Sequence, residues 1–239
     1  MSPRKLAPVE ERDRTPRELY WRDPEADTSK LIHAWANMLF VDHGLLRLAF
    51  PNRHKLSDTV WRSSQPSPGQ IKWFANQGGK TILTLRGFDY RGSMFLEKRA
   101  CLEHDINLIN WQCRSDSIVS VPQIQKLIGI LRSVETPLLI HCKSGADRMG
   151  FVSVVYRHLI MGDPIEVAME QLSGRFLHIK TSKTGVLDYF FEVFAKAHKE
   201  RGIDFETWLE TECDPKAIND GFVPNGFAGW FERKILRRE

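Results

Sequence analysis

The sequence predicts an α/β fold, with a largely parallel central sheet of four to five strands flanked by helices. Two observations predict it. Strand-like apolar runs near residues 59–63, 80–85, 106–111 and 137–141 alternate with helical patterns near 68–77, 93–104 and 121–133, as in a parallel sheet covered on both faces. The last strand leads through a short polar loop into a buried-helix pattern from Gly150 to Ile160. Sheets of this kind hold ligands in such loops, at the carboxyl ends of their strands.

Taken in order, residues 1–30 are charged throughout and read as an irregular arm. Within Leu31–Phe50, Leu31, Trp35, Met38 and Leu39 fall at helical spacing, which predicts an amphipathic helix packed on the core. His33, Asn37, Asp42, His43 and Arg47 make this run too polar to span a bilayer; a helix lying on a membrane surface is the alternative. The preface ends near Pro51-Asn52. Beyond Gly150 the chain reads as helical, including Val186 to His198. Near the C-terminus Phe227, Phe231 and Ile235 share a helical face among Arg233, Lys234, Arg237 and Arg238. A short docking helix with a solvated basic face is expected there, and a surface for acidic lipids or a partner is the alternative. The expected organisation is an N-terminal arm and preface over 1–55, a catalytic domain over 56–200 and a helical extension over 201–239.

Composition narrows the function. A chain of 239 residues, 42% hydrophobic, can build one ample core. A net charge of +4 suits phosphorylated substrates, but no aromatic-rich basic repeat points to nucleic acid. Cys101, Cys113, Cys142 and Cys213 show neither CxxC spacing nor a metal-ligand rhythm, so a reduced, cytoplasmic protein without metal or cofactor is expected. Met1 to Lys30 contains no apolar signal core.

The chemistry concentrates in His141-Cys142-Lys143-Ser144-Gly145-Ala146-Asp147-Arg148. Placed between a strand end and a helix start, Cys142 sits where backbone amides and the helix dipole gather around an anion. A thiol beside a helix N-terminus and a cation becomes a thiolate, the form that attacks phosphorus. Arg148 offers a planar fork of donors able to grip two phosphate oxygens. Gly145 lets the backbone curl so that successive N–H groups point inward.

This stretch resembles the signature loop of the cysteine-dependent protein tyrosine phosphatase superfamily, histidine-cysteine-five residues-arginine. Trp61-Arg62-Ser63-Ser64-Gln65-Pro66-Ser67-Pro68 is similar to the segment that opens bacterial and plant-type dual-specificity phosphatases. Thr81-Ile82-Leu83-Thr84-Leu85-Arg86 resembles the strand that follows in them. Roughly residues 58 to 190 fit the pattern. The resemblance implies a tyrosine-phosphatase-like fold and metal-independent hydrolysis of a phosphate monoester through a phosphocysteine intermediate. Cys142 would be the nucleophile, and Arg148 and the amides of Lys143 to Met149 the phosphate cradle. His141 would position the loop. Substrates would be phosphorylated proteins or phosphorylated lipids and inositols. Rhodaneses and one class of arsenate reductases also use a cysteine-centred anion loop, and a phosphate-binding module with weak turnover is a further alternative.

In the superfamily the general acid is usually an aspartate in the loop after the strand preceding the signature strand. Asp116 is the only carboxylate between Asp105 and Glu135, and Asp89 is the reserve. Lys143 resembles its counterpart in phosphoinositide phosphatases, where a second cation holds extra phosphates. Asp147 would repel phosphate unless paired, with Lys143 or a nearby lysine as the expected partner. Met149 departs from the superfamily's serine or threonine, which helps the cysteine leave, so hydrolysis of the intermediate is expected to be slow. His178, Lys180 and Lys183 read as a solvated loop, with a place on the pocket rim as the alternative.

Overall fold

The computed structural model describes residues 28–87 and 91–224. Five strands form one sheet in the order β1-β2-β5-β3-β4: β1 is His54–Lys55, β2 Val60–Ser64, β3 Thr81–Thr84, β4 Asn107–Asn110 and β5 Leu138–Cys142. Every neighbour pair is parallel except β1 with β2. The four predicted strands are present within a residue or two. The two-residue β1 carries too little pattern to be seen in sequence.

Strand alternation explains why both faces are covered. Leu138 and Ile140 enter one core with Leu83, while Leu139 and Ile82 enter another on the opposite face, as a period of two requires. Before β1 come α1 (Thr28–Ala36), a π-helical turn at Asn37–Val41, and α2 (Gly44–Ala49). Within the sheet region follow α3 (Pro68–Asn76), α4 (Gly92–Glu103) and α5 (Val121–Ser133). Helices α3 and α4 supply Ile71, Phe74, Ala100 and Cys101 to the Leu139 face. Helix α5 and α6 (Asp147–Leu159) supply Leu127, Ile128, Val152 and Val155 to the other.

Local chemistry sets the helix starts. Ser67 and Gln70 form a capping box at α3, with Ser67 N donating to Gln70 Oε1 at 2.8 Å; Ser120 and Gln123 do the same at α5. Each satisfies two amides that the first turn would leave without acceptors.

The preface is less regular than the expected helix. Ala34 and Met38 are buried against Phe95 and Leu96 of α4. Trp35, predicted on the buried face, is instead exposed: Leu31, Ala34 and Met38 form the stripe that meets α4, and Trp35 lies one position past Ala34, about 100° around the helix. The approach of α1 to α4 is so close that a Cβ on Gly92 would fall 2.4 Å from Ala34 O.

After α6 come α7 (Ile165–Ala168) and 3-10 turns at Met169–Gln171, Gly174–Phe176 and Lys183–Gly185. Then follow α8 (Val186–Arg201), α9 (Phe205–Thr211) and α10 (Pro215–Gly221). Phe205 and Trp208 of α9 are buried among Phe190 and Phe194 of α8, with ring centroids 4.9–6.1 Å apart. The expected C-terminal helix around Phe227, Phe231 and Ile235 lies outside the described residues, as do residues 1–27. Among the described residues no helix is long and apolar enough to cross a membrane.

The Trp208 contacts make α9 part of the main core. Trp208→Ala should lower the unfolding free energy by about 3–5 kcal/mol, from lost burial plus the cavity left behind. A chemical denaturation midpoint that barely moves would show that α9 is dispensable.

Candidate active site

Cys142 ends β5, the middle strand, with Ser64 beside it in register on β2. Its side chain is buried, and Gly145 N donates to its Sγ at 3.2 Å. The loop closes at α6, where Asp147, Arg148 and Met149 form the first turn. Their amides have no intrahelical acceptor; the first helical bond is Gly150 N to Ala146 O, 2.7 Å. Amides and the helix dipole therefore converge on the space over the cysteine.

The loop carbonyls show how that direction is held. Cys142 O lies 3.2 Å from His141 Nδ1, Lys143 O accepts from Gln65 N at 3.3 Å, and Ser144 O accepts from Asn52 Nδ2 at 3.2 Å. Gly145 O accepts from Arg62 Nη2 at 2.8 Å, and Ala146 O from the same nitrogen at 3.4 Å. Each carbonyl from Cys142 to Ala146 thus has a donor outside the loop. Gly145 is required twice over: its φ is +76°, and a Cβ there would meet Ser64 N at 2.8 Å and Ser63 C at 2.9 Å.

Arg62 is the least replaceable of these donors. It is completely buried, also donates to Gln171 Oε1 at 2.8 Å, and lies over the Phe176 ring at 3.9 Å. Burial pulls its guanidinium down to about 10, so it is still charged at neutral pH. The sequence marked Arg62 and Gln65 only as members of a motif, and nothing in it pointed to Asn52.

A second network supports the loop from behind. His141 Nε2 lies 2.5 Å from Glu97 Oε1, and Glu97 Oε2 accepts from Gln65 Nε2 at 2.7 Å. Gln65 Oε1 accepts from Arg86, which pairs with Asp42 at 2.7 Å. Asp42, fully buried, also meets Arg47 at 3.0 Å, Arg91 at 2.9 Å and Lys143 at 3.3 Å, and accepts from Ser93 Oγ at 2.7 Å. Burial raises its carboxyl pKa, but Arg86, Ser93 and Arg47 outweigh that and hold it far below the usual range.

The expected pairing of Asp147 with Lys143 is therefore corrected. Lys143 goes to Asp42, and Asp147 Oδ1 meets His178 Nδ1 at 2.7 Å. His178 Nε2 meets Asp188 Oδ2 at 2.6 Å. The imidazole is buried, not part of a solvated loop; the 3-10 turns around it fold it inward beneath α6. Lys180 pairs with Glu192 of α8.

Arg148 Nη1 donates to Leu85 O, just past β3, at 3.2 Å. The Met149 side chain is wholly buried in the main core. Asp116 lies in the loop between β4 and α5, its two oxygens each 2.9 Å from Arg114, whose hydrogen bonds hold its carboxyl below the usual range. Asp89 lies outside the described residues. Burial pushes the thiols of Cys113 and Cys213 up to about 12 and raises that of Cys101 as well, which leaves these three protonated at neutral pH. Among the described residues no group of three or more His, Cys, Asp or Glu side chains could hold a metal ion.

The family described as "DSP-PTPase phosphatase fused to NAD+ Kinase" matches residues 41–184, more than half of the chain. A rice protein named probable NAD kinase 2, chloroplastic, is 24% identical over 134 residues, 54% of this chain and 14% of that protein. The dual specificity protein phosphatase TpbA of Pseudomonas aeruginosa is 21% identical over 126 residues, 51% of this chain and 53% of that one. The chain thus spans about half or less of the length of these relatives. The crystal structure of P. aeruginosa TpbA superposes with a TM-score of 0.46 at 17% identity, covering 71% of this chain and 89% of that one. A putative phosphatase from Shewanella putrefaciens gives 0.49 at 12%, covering 62% and 96%.

The His178 clamp has a pH signature. Burial alone lowers the imidazole pKa, but the hydrogen bonds and charges of Asp147 and Asp188 prevail and raise it from 6.5 to about 9. A group raised on folding adds stability that is complete below pH 6.5 and is lost as pH rises through 9. The shift corresponds to roughly 3 kcal/mol. Thermal melts of the wild type should weaken between those limits, and His178→Gln should remove most of that slope. Parallel pH profiles would show that the imidazolium contributes nothing.

Proposed function

The chain belongs to the cysteine-dependent protein tyrosine phosphatase superfamily, in the family described as a dual-specificity-type phosphatase fused to NAD+ kinase, and on that premise we propose that it hydrolyses phosphate monoesters through a phosphocysteine intermediate, as a dual-specificity or tyrosine-type protein phosphatase. The observation that carries the reading is the loop from Cys142 to Arg148, its carbonyls tied outward and a backbone donor on the sulfur.

In the first step Cys142 Sγ attacks phosphorus while the bond to the leaving oxygen breaks and Asp116 gives that oxygen its proton. The inward amides of Lys143 to Met149 hold the equatorial oxygens, and Arg148 exchanges Leu85 O for the phosphoryl group. In the second step water attacks phosphorus, its proton passes to Asp116, and the sulfur–phosphorus bond breaks. His141 serves by position, locked between Glu97 and the loop.

Two features tune this scheme. Asp116 must leave Arg114 and take up a proton before it can act; exposed ion pairs of this kind hold their partners weakly. Met149 places a thioether in the core where a hydroxyl would assist sulfur departure, which favours a slow second step. Lys143 is engaged by Asp42, so an additional phosphate group would have to compete with a buried carboxylate for it. A substrate with a single phosphate needs no such exchange, which favours phosphoproteins over polyphosphorylated inositols.

The reading is tested first with Cys142→Ser, which keeps the loop but replaces sulfur with a poor nucleophile. Aryl phosphate turnover in metal chelator should fall on the order of 10⁴-fold or more while vanadate still binds. Appreciable residual turnover would exclude the mechanism. The role of Asp116 is tested by leaving-group dependence. With Asp116→Ala, hydrolysis of an alkyl phosphate should drop about 100-fold or more, as expected for loss of a general acid, and that of an activated aryl phosphate much less. An equal drop for both would assign Asp116 a structural role.

A further inference from the structure

The preface carries an apolar surface that nothing in the described structure covers. Between residues 32 and 50, Ile32 is 61% exposed, Phe40 73%, Leu46 65% and Phe50 71%, and Trp35, Val41, Leu45 and Leu48 are exposed as well. Scattered apolar residues on a surface are ordinary, but eight large ones within nineteen positions form a patch of the kind that marks an interaction site. The burial of Ala34 and Met38 fixes which side faces the protein, so the exposed set is the outward side of a docked segment.

The charges around the patch select its partner. From Thr28 to Lys55 the only carboxylate is Asp42, and it is buried among its cations. The solvent-facing charges of the same segment are Arg53 and Lys55, with Lys30 partly exposed. Half-exposed Arg91 and Lys143 extend the basic rim where Asp42 holds them. A segment that is aromatic and aliphatic on its outward face, with cations beside it and no exposed carboxylate among residues 28–55, fits an anionic lipid bilayer. Trp and Phe settle at the headgroup level, and the cations meet acidic headgroups.

We propose that the exposed face of residues 32–50 binds the surface of anionic membranes, in the plane of the interface and without crossing the bilayer. The face is anchored to the signature loop through Asp42 to Lys143 and Asn52 to Ser144, so a bound membrane lies beside the phosphate cradle. The proposal does not depend on the phosphatase reading, because binding is measured without turnover.

The test is co-sedimentation of the full chain with vesicles of roughly equal parts phosphatidylcholine and phosphatidylglycerol, against vesicles of phosphatidylcholine alone. Binding to the mixed vesicles should be about tenfold tighter or more, as two or three surface cations provide, and should weaken with added salt. Phe40→Asp and Leu46→Asp should each reduce binding at least about tenfold, from a charge placed among inserted apolar groups, with aryl phosphate turnover and melting temperature unchanged. In wild-type protein, brominated lipid should quench tryptophan fluorescence. Trp35→Phe should keep the binding and lose most of that quenching. Failure to sediment with the mixed vesicles would overturn the proposal, as would equal binding by the aspartate variants. A dimer in solution that those variants dissolve, with no vesicle binding, would assign the face to a second copy of the chain.

Discussion

The structure depends on how a five-residue loop disposes of its carbonyls. An anion cradle needs successive amides aimed at one point, and the peptide unit then sends the carbonyls the opposite way, into protein. Buried carbonyls demand donors. Here the donors are Asn52, Gln65, Arg62 and His141, drawn from the segment before β1, from β2 and the residue after it, and from β5 itself. Arg62 is the costliest of them, a guanidinium taken out of water and repaid by carbonyl oxygens, Gln171 and the Phe176 ring. That arrangement accounts for a fully buried arginine in the middle of a strand.

The same logic extends outward through Asp42. A lone carboxylate in the interior would be prohibitively desolvated, and four cations with one hydroxyl make it tolerable. These partners come from α2, the end of β3, the approach to α4, and the signature loop. The preface is consequently bonded into the site as well as packed beside it. Lys143, whose position in sequence suggests a direct substrate contact, is held by a residue 101 positions earlier in the chain, so its availability to substrate is governed from the preface.

His178 plays the corresponding part on the α6 side. Asp147 stands next to Arg148 in the first helical turn, where a negative charge suits the dipole but opposes a phosphate nearby. The imidazole clamped between Asp147 and Asp188 offsets one of those charges and ties the helix start to α8. The loop is thus braced on one flank by a guanidinium, on another by a carboxylate network, and at the helix by an imidazole.

The sequence by itself determined the alternation of strands and helices, the place of Cys142 at a strand end before a helix, and the need for Gly145 in the loop between them. These are legible because they are local: apolar periodicity reports burial directly, and a seven-residue motif carries its own geometry. The C-terminal helices and the preface were legible as helices, but not that Ala34 rather than Trp35 would face α4, since how closely two helices approach is not written in the spacing of apolar residues. Only the tertiary structure decided the partners. Asn52 meets Ser144 across 92 positions and Arg62 meets Gly145 across 83; no periodicity links such residues. Asp147 turned to His178 and not to Lys143 for the same reason. A charge's partner is chosen by which buried group most needs it, and burial of polar side chains is settled only when the chain has folded.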